Sequence, residues 1–347
     1  MSEPLDVAKY IFINDQNELR SGWRVLAFVF FIVLAEIMLA GLIKTLATLF
    51  PSLGFMIAEV SGGEDLTVRD LIALGVGSCR DFVATVVATA LCARWLERRS
   101  FASVGFKLHR GWIRDFARGS AMGGSALAIA VGIGVGVGAV SFDVRTQTVA
   151  ILVRGLVVTF MFFLISGATE ELMFRGFPFQ ALTHNLGGAA AIGLTAVLFG
   201  LAHLSNKHAS VFSTVNTILA GAWLGCAYLI TRSLWLATAL HYSWNLVMVF
   251  VFGLPVSGFT TFNHLSWLKG HSGAPIWISG GGYGPEGGGG ATIALIVSTA
   301  VIWKCGWFTA SNEMLLAIRH GKPESVVSIT PKEPPEEDNS GFRPAAS

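Results

Sequence analysis

Residues 149–175 read VAILVRGLVVTFMFFLISGATEELMFR. From Val149 to Thr169 this stretch carries one ionisable side chain, Arg154, and then Glu170, Glu171 and Arg175 follow in quick succession. About 20 apolar residues wound as a helix cross the roughly 30 Å hydrocarbon layer of a bilayer. A barrel strand would instead alternate over about ten residues. The run is continuous, and a helix satisfies its own backbone N–H and C=O groups in lipid.

Further apolar runs lie on both sides, near 25–50, 71–94, 119–141, 189–206, 212–231, 233–253 and 291–311. The expected fold is therefore all-α, a polytopic transmembrane bundle of about eight spanning helices. Composition agrees. Of 347 residues 53% are hydrophobic and 13% charged, and the mean hydropathy is +0.62. A soluble domain carries about 25% charge, and a core of this size could not hide so much apolar surface. An ordinary cytoplasmic enzyme and a disordered regulator are excluded, and a net charge of +2 suggests no nucleic-acid partner. The lipid bilayer is the partner that composition implies.

The chain divides into an amino-terminal membrane region (1–118), a core (119–253), a glycine-rich outer loop (254–290), a last span (291–317) and a tail (318–347) whose Pro, Glu and Ser content reads as disordered. The first 24 residues are polar and mixed in charge, so no cleavable signal peptide is expected. Positive charge gathers at Arg94, Arg98, Arg99, Lys107, Arg110, Arg114 and Arg118, with Lys9, Arg20 and Arg24 near the amino terminus. Residues 254–290 hold only Lys269. With eight spans, the positive-inside rule places both termini and the basic loop in the cytoplasm. The run Gly280–Gly290 reads as a flexible outer linker. Gly132, Gly134, Gly136 and Gly138 lie inside a span and suggest close helix packing rather than a dinucleotide loop. Cys79, Cys92, Cys226 and Cys305 follow no disulfide or metal spacing and read as small apolar residues.

Ionisable groups inside spans are costly and rare, which marks each as a candidate for function. Glu36, Lys44, Arg80, Asp81 and Arg154 read as structural, Arg80 and Asp81 by neutralising neighbours and Lys44 by reaching the span end. The denser group comprises Glu170-Glu171…Arg175, Phe199…His203 and His241…Asn245. Glu171 and Arg175, Phe199 and His203, and His241 and Asn245 are each spaced i,i+4 and so share one helix face, where Glu171 and Arg175 can pair. Glu170 is rotated by about 100° from Glu171. A turn at His184–Gly188 would make 155–206 a hairpin with Glu170 and His203 at similar depth, interrupted at Pro178.

A carboxylate beside a histidine can take a proton from water, and a histidine with an amide can stabilise the oxyanion formed when that water attacks a carbonyl. The same set, Glu170, His203 and His241, would equally serve as a zinc shell. No HExxH or GxSxG pattern is present.

EExxxR, FxxxH and HxxxN in consecutive membrane helices resemble the CAAX protease and bacteriocin-processing (Abi) family of intramembrane endopeptidases, over about residues 150–250. "EELMFRG" and "VLFGLAH" resemble its first two motifs. The resemblance implies a glutamate-dependent peptidase acting on a membrane-associated protein or peptide. Glu170 would activate water with His203 assisting, and His241 and Asn245 would form the oxyanion site. Glu171, Arg175 and Phe199 would support the geometry, without a favoured metal, in a site open to the cytoplasm. Short loops suggest a prokaryotic cytoplasmic membrane. The alternatives are a non-enzymatic membrane scaffold or immunity protein on the same fold and, with no internal repeat to support it, a transporter.

Overall fold

The computed structural model describes residues 11–14, 17–56 and 67–319. The helices of eight or more residues are α1 (Ser21–Leu49), α2 (Val68–Trp95), α3 (Trp112–Gly136), α4 (Val149–Arg175), α5 (Phe177–Leu186), α6 (Gly188–Ala202), α7 (Val211–Thr231), α8 (Leu234–Leu246), α9 (Gly289–Lys304) and α10 (Asn312–Arg319). A two-stranded antiparallel ribbon pairs β1 (Val140–Val144) with β2 (Leu268–Ser272). Six helical segments among the described residues are long and apolar enough to cross a membrane, and the chain is an integral multi-pass membrane protein.

Six is fewer than the eight that apolar runs predict. The runs at 189–206 and 291–311 form α6 and α9, of 15 and 16 residues, each only about 23 Å long. α6 stops because the polar sequence His203–Ser210 follows, and α9 because Gly306 turns the chain at positive φ. The run at 119–141 also ends early, at Gly136, and continues into β1. The hairpin arm is not one regular helix either. α4 breaks at Gly176, and Pro178 sits in the first turn of α5. The tail from residue 320 lies outside the described residues, while 318 and 319 close α10.

Local sequence explains the helix starts. Thr67 and Asp70 form a reciprocal capping box on α2, and Ser210 with Ser213 forms one on α7. Thr148 caps α4 and Ser233 caps α8 through their side-chain oxygens.

Burial ranks the helices. Only 11% of the apolar window of α1 is buried, against 67% for α8 and its extension. α1 turns Phe30, Ile37 and Met38 outward, as a lipid-facing helix does. α8 is the central post, packed against α3, α4 and α7. Its approach to α3 depends on Gly123, where a Cβ would collide with the Leu240 carbonyl and the Ser243 hydroxyl. The four glycines expected to pack behave differently. Gly132 and Gly136 have open space around them, Gly134 meets Val140, and Gly138 lies beyond the helix end.

The basic loop, the start of α1 and the end of the described chain share one end of the bundle. Arg24 pairs with Glu97 at 3.0 Å, and the Arg110 N–H donates to Glu313 at 3.1 Å. Across α1 and α2, Arg80 bridges Glu36 at 2.8 Å and Asp81 at 2.7 Å, so one guanidinium is shared by two carboxylates.

Candidate active site

The three motif helices converge on one cavity of about 620 Å³. α4 contributes Phe162, Phe163, Ser166, Glu170 and Phe174, a single face at helical spacing. Phe199 and His203 come from the end of α6, and His241 and Asn245 from α8. Glu170, His203, His241 and Asn245 therefore line the same space. α8 continues past Asn245 as a π-helical turn, Val247–Val251, and such turns recur at functional sites.

Glu171 points away from the cavity into protein. Its Oε1 accepts from Arg175 at 3.1 Å and from His241 Nδ1 at 2.9 Å, and Glu171 and Arg175 are both fully buried. The second terminal nitrogen of Arg175 donates to the Gly221 carbonyl at 2.8 Å, and the guanidinium lies 4.6 Å from the Phe199 ring centre. The i,i+4 pairing of Glu171 and Arg175 thus holds, with His241 as a third member that spacing alone does not show.

Glu170, rotated away from that pair, lines the cavity, and its Oε2 is 3.9 Å from His241 Nε2. This oxygen is buried and has no hydrogen-bond partner among the described residues. His203 Nδ1 lies 2.7 Å from the Phe199 carbonyl. A carbonyl only accepts, so Nδ1 carries the hydrogen and Nε2 is the free ring nitrogen. Phe199 organises the group, its ring 4.7 Å from that of His203 and edge-on to His241 at 5.9 Å.

Among the described residues no three His, Cys, Asp or Glu side chains are placed to hold one ion. Nδ1 of each site histidine is engaged by protein, which leaves Nε2 of both rings as the nitrogen toward the cavity.

The glycine-rich segment is not a linker. Its glycines pack so tightly that a Cβ at Gly280, Gly284 or Gly288 would run into a backbone carbonyl, and the segment coils into short turns. It forms a cavity wall and contributes Glu286. Glu286 accepts from Trp244 Nε1 at 3.2 Å and from the N–H and hydroxyl of Ser257 at 2.7 Å each. Asn216 on α7 donates to the Glu286 and Gly288 carbonyls at 2.8 and 2.9 Å. None of these residues was marked by spacing, although one acidic residue within a glycine run was a signal to follow.

The loop-borne walls, Asn206, Ser257, Phe259 and Glu286, all belong to the end of the bundle opposite the basic loop. The cavity therefore extends toward the 254–290 segment, whereas the family resemblance implies the basic-loop side.

Residues 150–247 match the family described as Type II CAAX prenyl endopeptidase Rce1-like, and this segment carries all three motifs. No curated protein and no solved structure matches the chain.

Proposed function

We propose that the chain is an intramembrane endopeptidase that hydrolyses a peptide bond of a membrane-associated protein or peptide with a glutamate-activated water. The observation that carries this reading is the convergence of Glu170, His203, His241 and Asn245 on one membrane-embedded cavity, supported by the family match at 150–247.

Glu170 Oε2 takes a proton from water as the water oxygen attacks the scissile carbonyl carbon, with His203 Nε2 as a second acceptor orienting that water. The carbonyl oxygen becomes an oxyanion facing His241 and Asn245. With Nδ1–H donated to the Glu171 carboxylate, Nε2 of His241 carries a hydrogen only as imidazolium, and the Glu170 and Glu171 carboxylates face its two ring nitrogens. That cation and the Asn245 amide donate to the oxyanion. When the C–N bond breaks, the leaving nitrogen takes the proton from Glu170. Arg175 keeps the Glu171 carboxylate in place through the whole cycle.

The proposed setting is a prokaryotic cytoplasmic membrane with the basic loop in the cytoplasm, so that the cavity opens toward the outer half of the bilayer. The test is cleavage of membrane-tethered peptides by purified protein, compared with Glu170→Ala and His203→Ala. Loss in both variants supports the reading, and undiminished cleavage in both refutes it.

A further inference from the structure

The cavity has a second polar pole. Besides Glu170, the one carboxylate lining it is Glu286, and neither lysine nor arginine is among its lining residues. Glu286 is half-buried, and two buried carboxylates elsewhere have cationic partners. Glu171 has Arg175, and Glu97 has Arg24 and Arg99. Glu286 differs, since no Lys, Arg or His among the described residues lies within ion-pair distance of it.

Its partners are the neutral donors Trp244 and Ser257. Three hydrogens converge on its two oxygens, an arrangement that suits an acceptor-only carboxylate and leaves its charge uncompensated. Burial pushes the neighbouring Tyr283 hydroxyl above the usual phenol range, and the Glu286 charge pushes it the same way. In a low-dielectric cavity such a charge attracts a cation far more strongly than it does in water.

Its position ties it to the chemistry. Trp244, which holds Glu286, is adjacent to Asn245 and three residues after His241 on α8. A substrate whose carbonyl faces His241 and Asn245 therefore brings neighbouring side chains toward Glu286.

We infer that Glu286 is a specificity-determining residue, which binds a cationic side chain of the substrate close to the scissile peptide. This rests on the proposed hydrolysis. It assigns to the substrate a lysine- or arginine-like group in an otherwise apolar stretch. A merely structural Glu286 would anchor the 254–290 segment to α8 and leave peptide charge without effect.

The experiment uses full-length protein in nanodiscs and a series of leucine- and alanine-rich membrane-inserted peptides. Each carries lysine at one position around the scissile bond, and each has a matched peptide with acetyl-lysine there. For wild-type protein, kcat/KM for lysine over acetyl-lysine is expected to be about tenfold at one position, the scale of a charge-assisted contact. Glu286→Gln is expected to bring the ratio to about one, while Glu286→Asp retains a preference. A ratio near one at every position in wild-type protein overturns the inference, as does a preference that persists in Glu286→Gln. The wild-type arm needs no variant to fold. If wild-type protein cleaves no peptide, the hydrolysis reading fails, and the same ratio is then required in photocrosslinking of the two peptides to it. Equal crosslinking overturns the inference by itself.

Discussion

His241 and Glu171 are separated by 70 positions in the chain, and Nδ1 of the histidine stands 2.9 Å from Oε1 of the glutamate. This contact joins the first motif to the third. It fixes which ring nitrogen faces the protein and which faces the cavity, as an orienting carboxylate does for a catalytic histidine. Arg175 completes the link by holding the same oxygen at 3.1 Å.

Glu171→Gln is expected to destabilise the fold severely. It leaves the fully buried Arg175 without its anion, and breaking a buried pair from one side costs about 3–5 kcal/mol. Unfolding midpoints in detergent measure this. Arg175→Met combined with Glu171→Gln is expected to be less damaging than the two single effects summed. A fully additive pair would show that the two side chains do not interact.

Gly123→Ala and Gly132→Ala are expected to separate sharply. At Gly123 the added methyl meets α8 backbone, whereas at Gly132 nothing lies within 4 Å. Overpacking at the first site is expected to cost about 1–3 kcal/mol, and the second is neutral or slightly stabilising. Thermal unfolding of both proteins checks the contrast, and equal midpoints would contradict the packing described.

Asn216→Ala removes both donors to the Glu286 and Gly288 carbonyls. Each buried carbonyl left without a partner costs about 1–3 kcal/mol. Hydrogen exchange across residues 280–290 is expected to accelerate by at least about tenfold. Unchanged exchange would show that the segment does not depend on α7.

Topology is testable by cysteine labelling in a protein whose four native cysteines are replaced by alanine. Lys269 and Arg110 are both exposed, at opposite ends of the bundle. Lys269→Cys is expected to react with a membrane-impermeant maleimide on intact cells, and Arg110→Cys only after permeabilisation. The reverse pattern would place the cavity mouth in the cytoplasm.

The class of the fold was legible because lipid imposes one simple rule on composition. The candidate site was legible because charge inside a span is rare, so Glu170, His203 and His241 stand out without any knowledge of their contacts. The count of spans was not. An apolar run shows where a helix is tolerated in lipid, but His203 and Gly306 decide where α6 and α9 stop. The break at Gly176 was visible through Pro178, while the link from Glu171 to His241 was not, because helical spacing speaks only within one helix. Glu286 was hidden for another reason. Residues 276–290 have no periodic pattern, and glycine suits an open linker and a tightly packed wall equally well.

The most direct test of the account is single-turnover hydrolysis of one membrane-inserted peptide by wild-type protein and by Glu170→Gln. Glutamine preserves the shape of the side chain and removes the base. The account predicts that peptide binding is retained while the chemical step falls by about 10²–10⁴-fold, the contribution typical of a positioned general base. A chemical step as fast in Glu170→Gln as in wild-type protein would contradict it.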